Sequence, residues 1–301
     1  MKTLIITDSY DATTDLLVLN IGSEHIVRLN FDLHNESSIQ ISPFGISIEL
    51  NGLVISDQEI SKVLWRKPFN SFLEVDKYIE SELKYIYREI FNYFSLQNKT
   101  ILVVPNIERY MGKIIQLTIA KTFFQVPSWR VCINENLGEG EGVAKSLSTS
   151  VTNDNKIVYT TIIKLEDLDR KYPWFVQELV VATVDVTVVY IDGKLFAYEL
   201  DRVSGLVDWR KEINRGEQKW RIHKLNDSIA AMIIDYMNTL GLKYGRLDFL
   251  FDSKTYHFLE VNPNGQWAWL DIENNNGLMA EMIRQVSPNT SSKALVKSIG
   301  Y

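Results

Sequence analysis

Cysteine is nearly absent: Cys132 stands alone in 301 residues, which excludes an intramolecular disulfide. Four scattered histidines, with no CxxC or HExxH spacing, leave no soft-metal site to read. No lysine-rich tract or basic stripe accompanies the net charge of −6 and pI near 5.4, so nucleic acid is not expected as a main partner. Long apolar runs are missing as well. The most apolar stretch, "WFVQELVVATVDVTVVYI" (174–191), is interrupted by Glu178 and Asp185, so no membrane span is expected. The opening "MKTLIITDSYD" has an apolar run too short for a signal-peptide core, and a reducing cytoplasm is the expected location. No repeat or low-complexity tract is visible. What the chain does have is 46% hydrophobic and 11% aromatic residues, enough for one large core or two to three smaller ones.

Short β-branched segments at 3–7, 25–30, 46–50, 63–66 and 101–105 read as strands. Between the last two, "VDKYIESELKYIYREIFNYF" (75–94) repeats apolar residues with helical spacing from Tyr78 to Phe94. Together these predict a small α/β unit over residues 1 to 105. A second helix is expected over 108–124, then the glycine-rich "NENLGEGEGVAKSLS" and strands around 157–164 and 174–182. The Asp192-Gly193 pair inside 185–200 signals a two-residue hairpin. Helix 226–241 places Ile229, Met232, Ile233, Tyr236, Met237 and Leu240 on one face, with Asn226 or Asp227 as its cap and Gly241 as its stop. A final hairpin follows, "KYGRLDFLF" and "YHFLEVN", and the chain closes in a polar tail after Val286.

That last hairpin carries the chemistry. Side chains alternate along a strand, so Glu260 and Asn262 share a face. Asp248 on the neighbouring strand stands opposite Glu260 if Asp252 pairs with Tyr256 across a three-residue loop, Ser253 to Thr255; an even loop would send the carboxylates to opposite faces. The odd loop is the expectation. Two carboxylates at cross-strand distance repel unless a cation sits between them, and carboxylate and amide oxygens suit Mg²⁺ or Mn²⁺. The plainer alternative leaves Glu260 in solvent and lets Asn262-Pro263 begin a turn.

"GRLDFLF…FLEVNPNGQWAWLD" resembles the metal-binding end of ATP-grasp ligases and, within that superfamily, is most similar to MvdD-type maturases of ribosomal peptides, the graspetide or microviridin-like synthetases. Matches extend over "ITDSYDATTD", "HIVRLNFDL", "LWRKP", "GVAKSLS", "WFVQELV", "DGKLFAYEL" and "DWR". The resemblance implies a mixed α/β and α+β protein with the ATP-grasp fold: an N-terminal pre-ATP-grasp domain (1–105), a central lobe (106–177) and a C-terminal lobe with the metal site (178–301), the two lobes enclosing ATP. It implies that Asp248, Glu260 and Asn262 hold Mg²⁺, as two ions, with Mn²⁺ as the alternative. Lys145 then matches the lysine that reaches the phosphates, Gln177, Glu178, Leu179 and Val180 match the adenine hinge, and Asp185 falls where an acidic residue meets the ribose. Read without the resemblance, Lys145 reaches solvent and Asp185 is a strand-edge charge. Three features depart from the family pattern. Thr187 stands where an arginine is usual, "SLSTSVTND" replaces a glycine-rich loop, and Arg246 replaces a small residue.

Such a site joins a carboxylate to an alcohol or amine by making it an acyl phosphate first, and the protein's task is to hold two anions in line. Arg210 and Arg246 are the candidates for charge stabilisation, with Arg66 and Lys67 secondary. No catalytic base is evident, His223 and His257 reading as structural. Trp267 and Trp269 either wall an acceptor pocket or pack in a core. The implied substrate is a precursor peptide with a leader segment, whose Asp or Glu side chains are joined to Thr, Ser or Lys, and the family implies a homodimer. The rival readings are a RimK-like ligase that adds free amino acids and an inactive nucleotide-binding regulator.

Overall fold

The computed structural model describes residues 1–66, 76–105, 107, 111–136, 138–147, 160–202, 219–274 and 276–288. The chain divides into two compact units: Met1–Asn106 together with the chain from Gly277 onward, and Ile107–Asn276. Among the described residues no helix is long and apolar enough to cross a membrane.

In the first unit, β1 (Lys2–Thr7), β2 (Ile26–Asn30), β6 (Ile60–Trp65) and β7 (Thr100–Ile101) form a parallel sheet in the order β2-β1-β6-β7. Leu4, Ile5 and Ile6 are buried in succession, as a parallel strand covered on both faces requires. A separate antiparallel meander, β3 (Ser37–Ser42), β4 (Gly45–Leu50) and β5 (Leu53–Ser56), lies between β2 and β6 in sequence. Helix α2 (Lys77–Leu96) buries Tyr87, Ile90, Phe91 and Phe94 but leaves Tyr78 and Ile79 exposed, so only its later turns pack. The strand expected over 101–105 stops at Ile101, because Leu102 adopts a φ of 59° that breaks the extended run.

Helix α1 (Ala12–Ile21), which periodicity did not announce, begins at a buried polar knot. The Asp11 carboxylate caps it by accepting from the Thr13 amide, and also accepts from the hydroxyls of Thr7 and Thr14 at 2.9 and 2.6 Å and from Arg66 Nε at 3.3 Å. Arg66 is 1% exposed in this pair, so it serves the interior of this unit. A helix at Leu278–Val286 belongs to the same unit: Thr3 and Lys62 donate to the carbonyls of Val286 and Gln285 at its C-terminal end.

The second unit holds two antiparallel sheets. One has the order β10-β9-β11-β8, built from β8 (Trp129–Cys132), β9 (Glu141–Lys145), β10 (Thr161–Lys164) and β11 (Trp174–Gln177). The strand expected over 174–182 ends at Gln177. The other has the order β14-β13-β12-β15-β16, with β12 (Val184–Ile191), β13 (Lys194–Asp201), β14 (Arg221–Ile222), β15 (Tyr244–Phe251) and β16 (Tyr256–Asn262). β12 and β13 meet through Asp192-Gly193, both at positive φ, as the two-residue hairpin signal predicts. Helix α4 (Asp227–Thr239) is capped by Asn226 and buries Ile229, Ile233, Tyr236 and Met237 against this sheet. The helix expected over 108–124 is shorter: α3 runs Lys113–Ala120 and starts after Gly112, whose ψ of 153° is extended.

One carboxylate of the first unit titrates unusually. Asp8 is 3% exposed, and burial, followed by the neighbouring carboxylates of Asp11 and Asp32, pushes its pKa up to about 6. A carboxyl whose folded pKa lies above its unfolded value contributes stability that is present below about pH 4 and lost as the pH rises through about 6. The Asp8→Asn variant is expected to remove that component. Urea unfolding at pH 4, 6 and 8 should show the variant gaining ~1–3 kcal/mol on the parent between the acid and alkaline ends; parallel pH profiles for the two proteins would contradict it.

Candidate active site

The five-stranded sheet has two unlike faces. Val186, Val188, Leu247, Phe249, Phe258 and Val261 point into the core with α3 and α4. The register sets Asp248 beside Thr187 on one neighbour and beside Glu260 on the other, and sets Arg246 opposite Asn262. Asp185, Thr187, Arg246, Asp248, Glu260 and Asn262 therefore share the opposite face.

The carboxylates meet, but not by the expected route. Phe251 pairs with Tyr256, so the loop has four residues, Asp252 to Thr255, and not three. Asp252 sets this turn, its Oδ1 accepting from the amides of Lys254 and Thr255 at 2.9 and 2.8 Å. An even loop alone would turn Glu260 to the core. A β-bulge between Asp248 and Phe249 corrects it: Phe249 pairs with Phe258, Asp248 with Glu260, and Leu259 is the extra residue. Phe258 thus enters the core while Glu260, two positions on, faces the site.

Each acidic group carries its own cation. Thr187 Oγ1 donates to Asp248 Oδ1 at 2.7 Å, and an Arg246 nitrogen donates to Asp248 Oδ2 at 3.1 Å. Arg246 also donates to the Gln266 carbonyl at 3.0 Å and lies 5.6 Å from the Trp269 ring centroid, leaving its Nε buried without a partner. Its pKa is raised: burial opposes the charge, but Asp248 more than restores it. Lys113 Nζ sits 2.8 Å from Glu260 Oε2. Burial would raise the Glu260 carboxyl, but Lys113 first, then Lys145 and Arg246, hold it down to about 2.

Lys113 had no spacing signal in the sequence. It is placed by α3, which is tied to β16 where Gln116 Oε1 accepts from the Val261 amide at 3.1 Å and Tyr236 donates to the Gln116 carbonyl. The only hint was a lysine opening an otherwise apolar helix.

The turn that follows β16 is packed tightly. Gly265 donates to the Asn262 carbonyl, Tyr244 donates to the Gly265 carbonyl at 2.6 Å, and a Cβ on Gly265 would lie 2.7 Å from Arg246 Cβ. Asn262 Oδ1 accepts from the Asn264 amide at 3.3 Å, so Asn262 does begin a turn, as the plainer reading held, while also lying in the carboxylate row.

The other predicted residues are distributed as follows. Lys145, at the end of β9, donates to Gln177 Oε1 at 2.8 Å; Gln177 is buried and its Nε2 has no partner. The Glu178 amide donates to the Ser128 carbonyl, and its carboxylate accepts from the Ser128 amide. Leu179 and Val180 are half-buried and lie outside any strand. Asp185 is paired with Arg202 at 2.8 Å. His223 bridges Glu199 and Tyr256, and His257 bonds Asp252, so both are built into the hairpins. Trp267 is fully buried. Arg210, Lys67 and most of "SLSTSVTND" lie outside the described residues.

Among the described residues no three His, Cys, Asp or Glu cluster as a metal site. The donor set here is two carboxylates and an amide, all oxygen, and Glu260 keeps 35% of its side chain exposed, which fits a hard cation that takes its remaining ligands from water and phosphate. The unpartnered Gln177 Nε2 is a buried donor suited to an acceptor on a nucleotide base.

Neither a protein-family model nor any curated protein sequence matches the chain. Solved structures do. The chain is similar to the macrocyclase MdnC of Microcystis aeruginosa MRC bound with its precursor peptide MdnA, at 21% identity over 90% of this chain and 94% of that one, with a TM-score of 0.72. It is similar to a Chryseobacterium gregarium RiPP-associated ATP-grasp ligase in complex with ADP and a leader and core peptide, at 22% identity over 95% and 96%, TM-score 0.78. A D-alanine–D-alanine ligase from Bacillus anthracis complexed with ATP matches at 14% identity over 88% and 86%, TM-score 0.52. The chain has the ATP-grasp fold, as its sequence led us to expect.

Removing the Thr187 hydroxyl tests the arrangement around Asp248. The Thr187→Val variant should lose ~1–3 kcal/mol in chemical denaturation, because a half-buried carboxylate loses a donor at unchanged volume, and Thr187→Ser should lose much less. Equal stability of all three proteins would show that the hydroxyl does not hold Asp248.

Proposed function

We propose that the protein is an ADP-forming ATP-grasp ligase that activates Asp or Glu side chains of a ribosomal precursor peptide and joins them to Thr, Ser or Lys side chains as macrocyclic esters or amides. The observation that carries this is the carboxylate row Asp248–Glu260 met by Lys113, Lys145 and Arg246 on one sheet face, within a fold shared with ligases solved with ADP and precursor peptides. Interleaved carboxylates and cations of this kind suit a chemistry that holds anions in place while charge moves between them.

Asp248, Glu260 and Asn262 are the residues that would hold Mg²⁺, as two ions, or Mn²⁺, and the ion when bound offsets charge on the phosphates. Lys113 and Lys145 approach that position from two different elements, a helix start and a strand end, so a polyphosphate between them meets positive charge from two directions. Gln177 to Val180 would receive adenine, through the buried amide of Gln177 and the backbone beyond it. In this reading Asp185, held by Arg202, presents a fixed carboxylate edge to the ribose. Arg246, with two nitrogens committed to Asp248 and Gln266, acts on substrate charge through Asp248. Arg210 remains assigned to the acyl-phosphate step from the sequence. The partner is a precursor peptide with a leader segment, and the protein works in the cytoplasm as a homodimer.

The test is mass spectrometry of a candidate precursor, a short peptide rich in Thr and Glu, after incubation with the protein, ATP and Mg²⁺. The expected product is lighter by the mass of one water per bond formed, with ADP released in step. Glu260→Gln is expected to lower the rate about 100-fold or more while the protein stays folded. A mass gain equal to an amino acid would overturn cyclisation in favour of residue addition, and undiminished turnover by Glu260→Gln would overturn the site.

A further inference from the structure

The two acidic groups suited to a metal ion are already ion-paired inside the protein. Glu260 Oε2 is 2.8 Å from the Lys113 ammonium, and Asp248 Oδ2 is 3.1 Å from the Arg246 guanidinium. The remaining Asp248 oxygen accepts from Thr187. Lys145 brings a third positive charge within Coulombic reach of Glu260. The pairs are partly sheltered: the side chains of Lys113 and Arg246 are 18% and 13% exposed, those of Glu260 and Asp248 35% and 20%, so solvent screens them only in part. Counting charge over these contacts, two carboxylates are matched by Lys113 and Arg246 before Lys145 is considered.

Among the described residues, a divalent cation arriving alone therefore meets no net negative charge over these contacts and competes with a cation at each carboxylate. A polyphosphate meets the opposite situation. It can take up the Lys113 ammonium, which frees Glu260, and the freed carboxylate then has a use for a metal. We propose that this site binds phosphate first: it takes a nucleoside polyphosphate without metal, has little affinity for a divalent ion alone, and acquires that ion only with the nucleotide in place. The inference rests on reading the site as a nucleotide site and goes beyond it by fixing the order in which charge enters. Lys113 is the element on which the order turns, because its ammonium is in direct contact with Glu260 and is also open to the incoming anion.

Calorimetric titration of the full-length protein tests this with three separate probes: ADP in excess EDTA, Mn²⁺ alone, followed also by the loss of its free-ion electron paramagnetic resonance signal, and ADP with Mg²⁺. Saturable binding of ADP in EDTA, no saturable binding of Mn²⁺ alone, and tighter binding of ADP with Mg²⁺ is the expected pattern. Lys113→Gln should weaken metal-free ADP binding about tenfold or more, equivalent to the loss of ~1.4 kcal/mol, and should make binding of Mn²⁺ alone measurable, because Glu260 is then unmatched. Lys113→Arg, which keeps the charge, should restore the parent pattern. Saturable Mn²⁺ binding by the parent protein, or a strict metal requirement for ADP, would overturn the order while leaving the nucleotide reading intact. Failure of ADP to bind under any condition would overturn that reading itself.

Discussion

Two carboxylates held at cross-strand distance on one sheet face are unstable company unless positive charge is supplied between or beside them. In this protein the pair is Asp248 and Glu260, and the demand for compensation organises what surrounds it. Lys113 comes from a helix, Arg246 from the same strand two residues earlier, and Lys145 from a separate sheet. Thr187, a neutral donor, takes the last position, where a charged residue would add to a set already matched. The result keeps the Glu260 carboxyl ionised to about pH 2 although burial alone would push it the other way.

The same constraint explains the local irregularity of β16. A regular strand that buried Phe258 would bury Glu260 too, since residues two apart share a face. The fold needs Phe258 against Phe124, Tyr236 and Phe249, whose ring centroids lie within 5.6 Å of it, and needs Glu260 facing away. One extra residue, Leu259, satisfies both. The bulge is thus the point where core packing and site chemistry are reconciled, and it lies beside the carboxylate pair, where bulges commonly re-aim side chains.

Much of this was legible from residues, and the parts that were not have identifiable physical causes. The pairing of Asp248 with Glu260 followed from alternation and from the need for a common face, and α4 followed from its caps and apolar spacing. The loop length was misread because Asp252 forms its turn through side-chain bonds to the amides of Lys254 and Thr255, which the strand pattern does not encode. The bulge was not legible either: "FLEVN" offers three apolar residues, Phe258, Leu259 and Val261, and only the structure shows that Phe258 and Val261, three apart, are the buried ones. Helix α1 carried no apolar periodicity; its start is set by Asp11, which accepts from the Thr13 amide and the Thr14 hydroxyl. Lys113 was invisible for a different reason. Its role arises from tertiary placement through Gln116, and a lone lysine at a helix start carries no spacing of its own.

Arg246 shows how closely the turn after β16 is coupled to the strand beside it. Its guanidinium needs an acceptor on the turn after β16, found at the Gln266 carbonyl, and its Cβ needs the space that a side chain on residue 265 would occupy. Any side chain at 246 therefore requires glycine at 265, and the glycine is held in turn by its bonds to Asn262 and Tyr244. Asp248, Glu260 and Asn262 are placed on one face by strand register, and the charge beside Asp248 is held by this packing of Arg246 against the turn. Register sets which side chains share the face, and the local partners of each carboxylate set its charge.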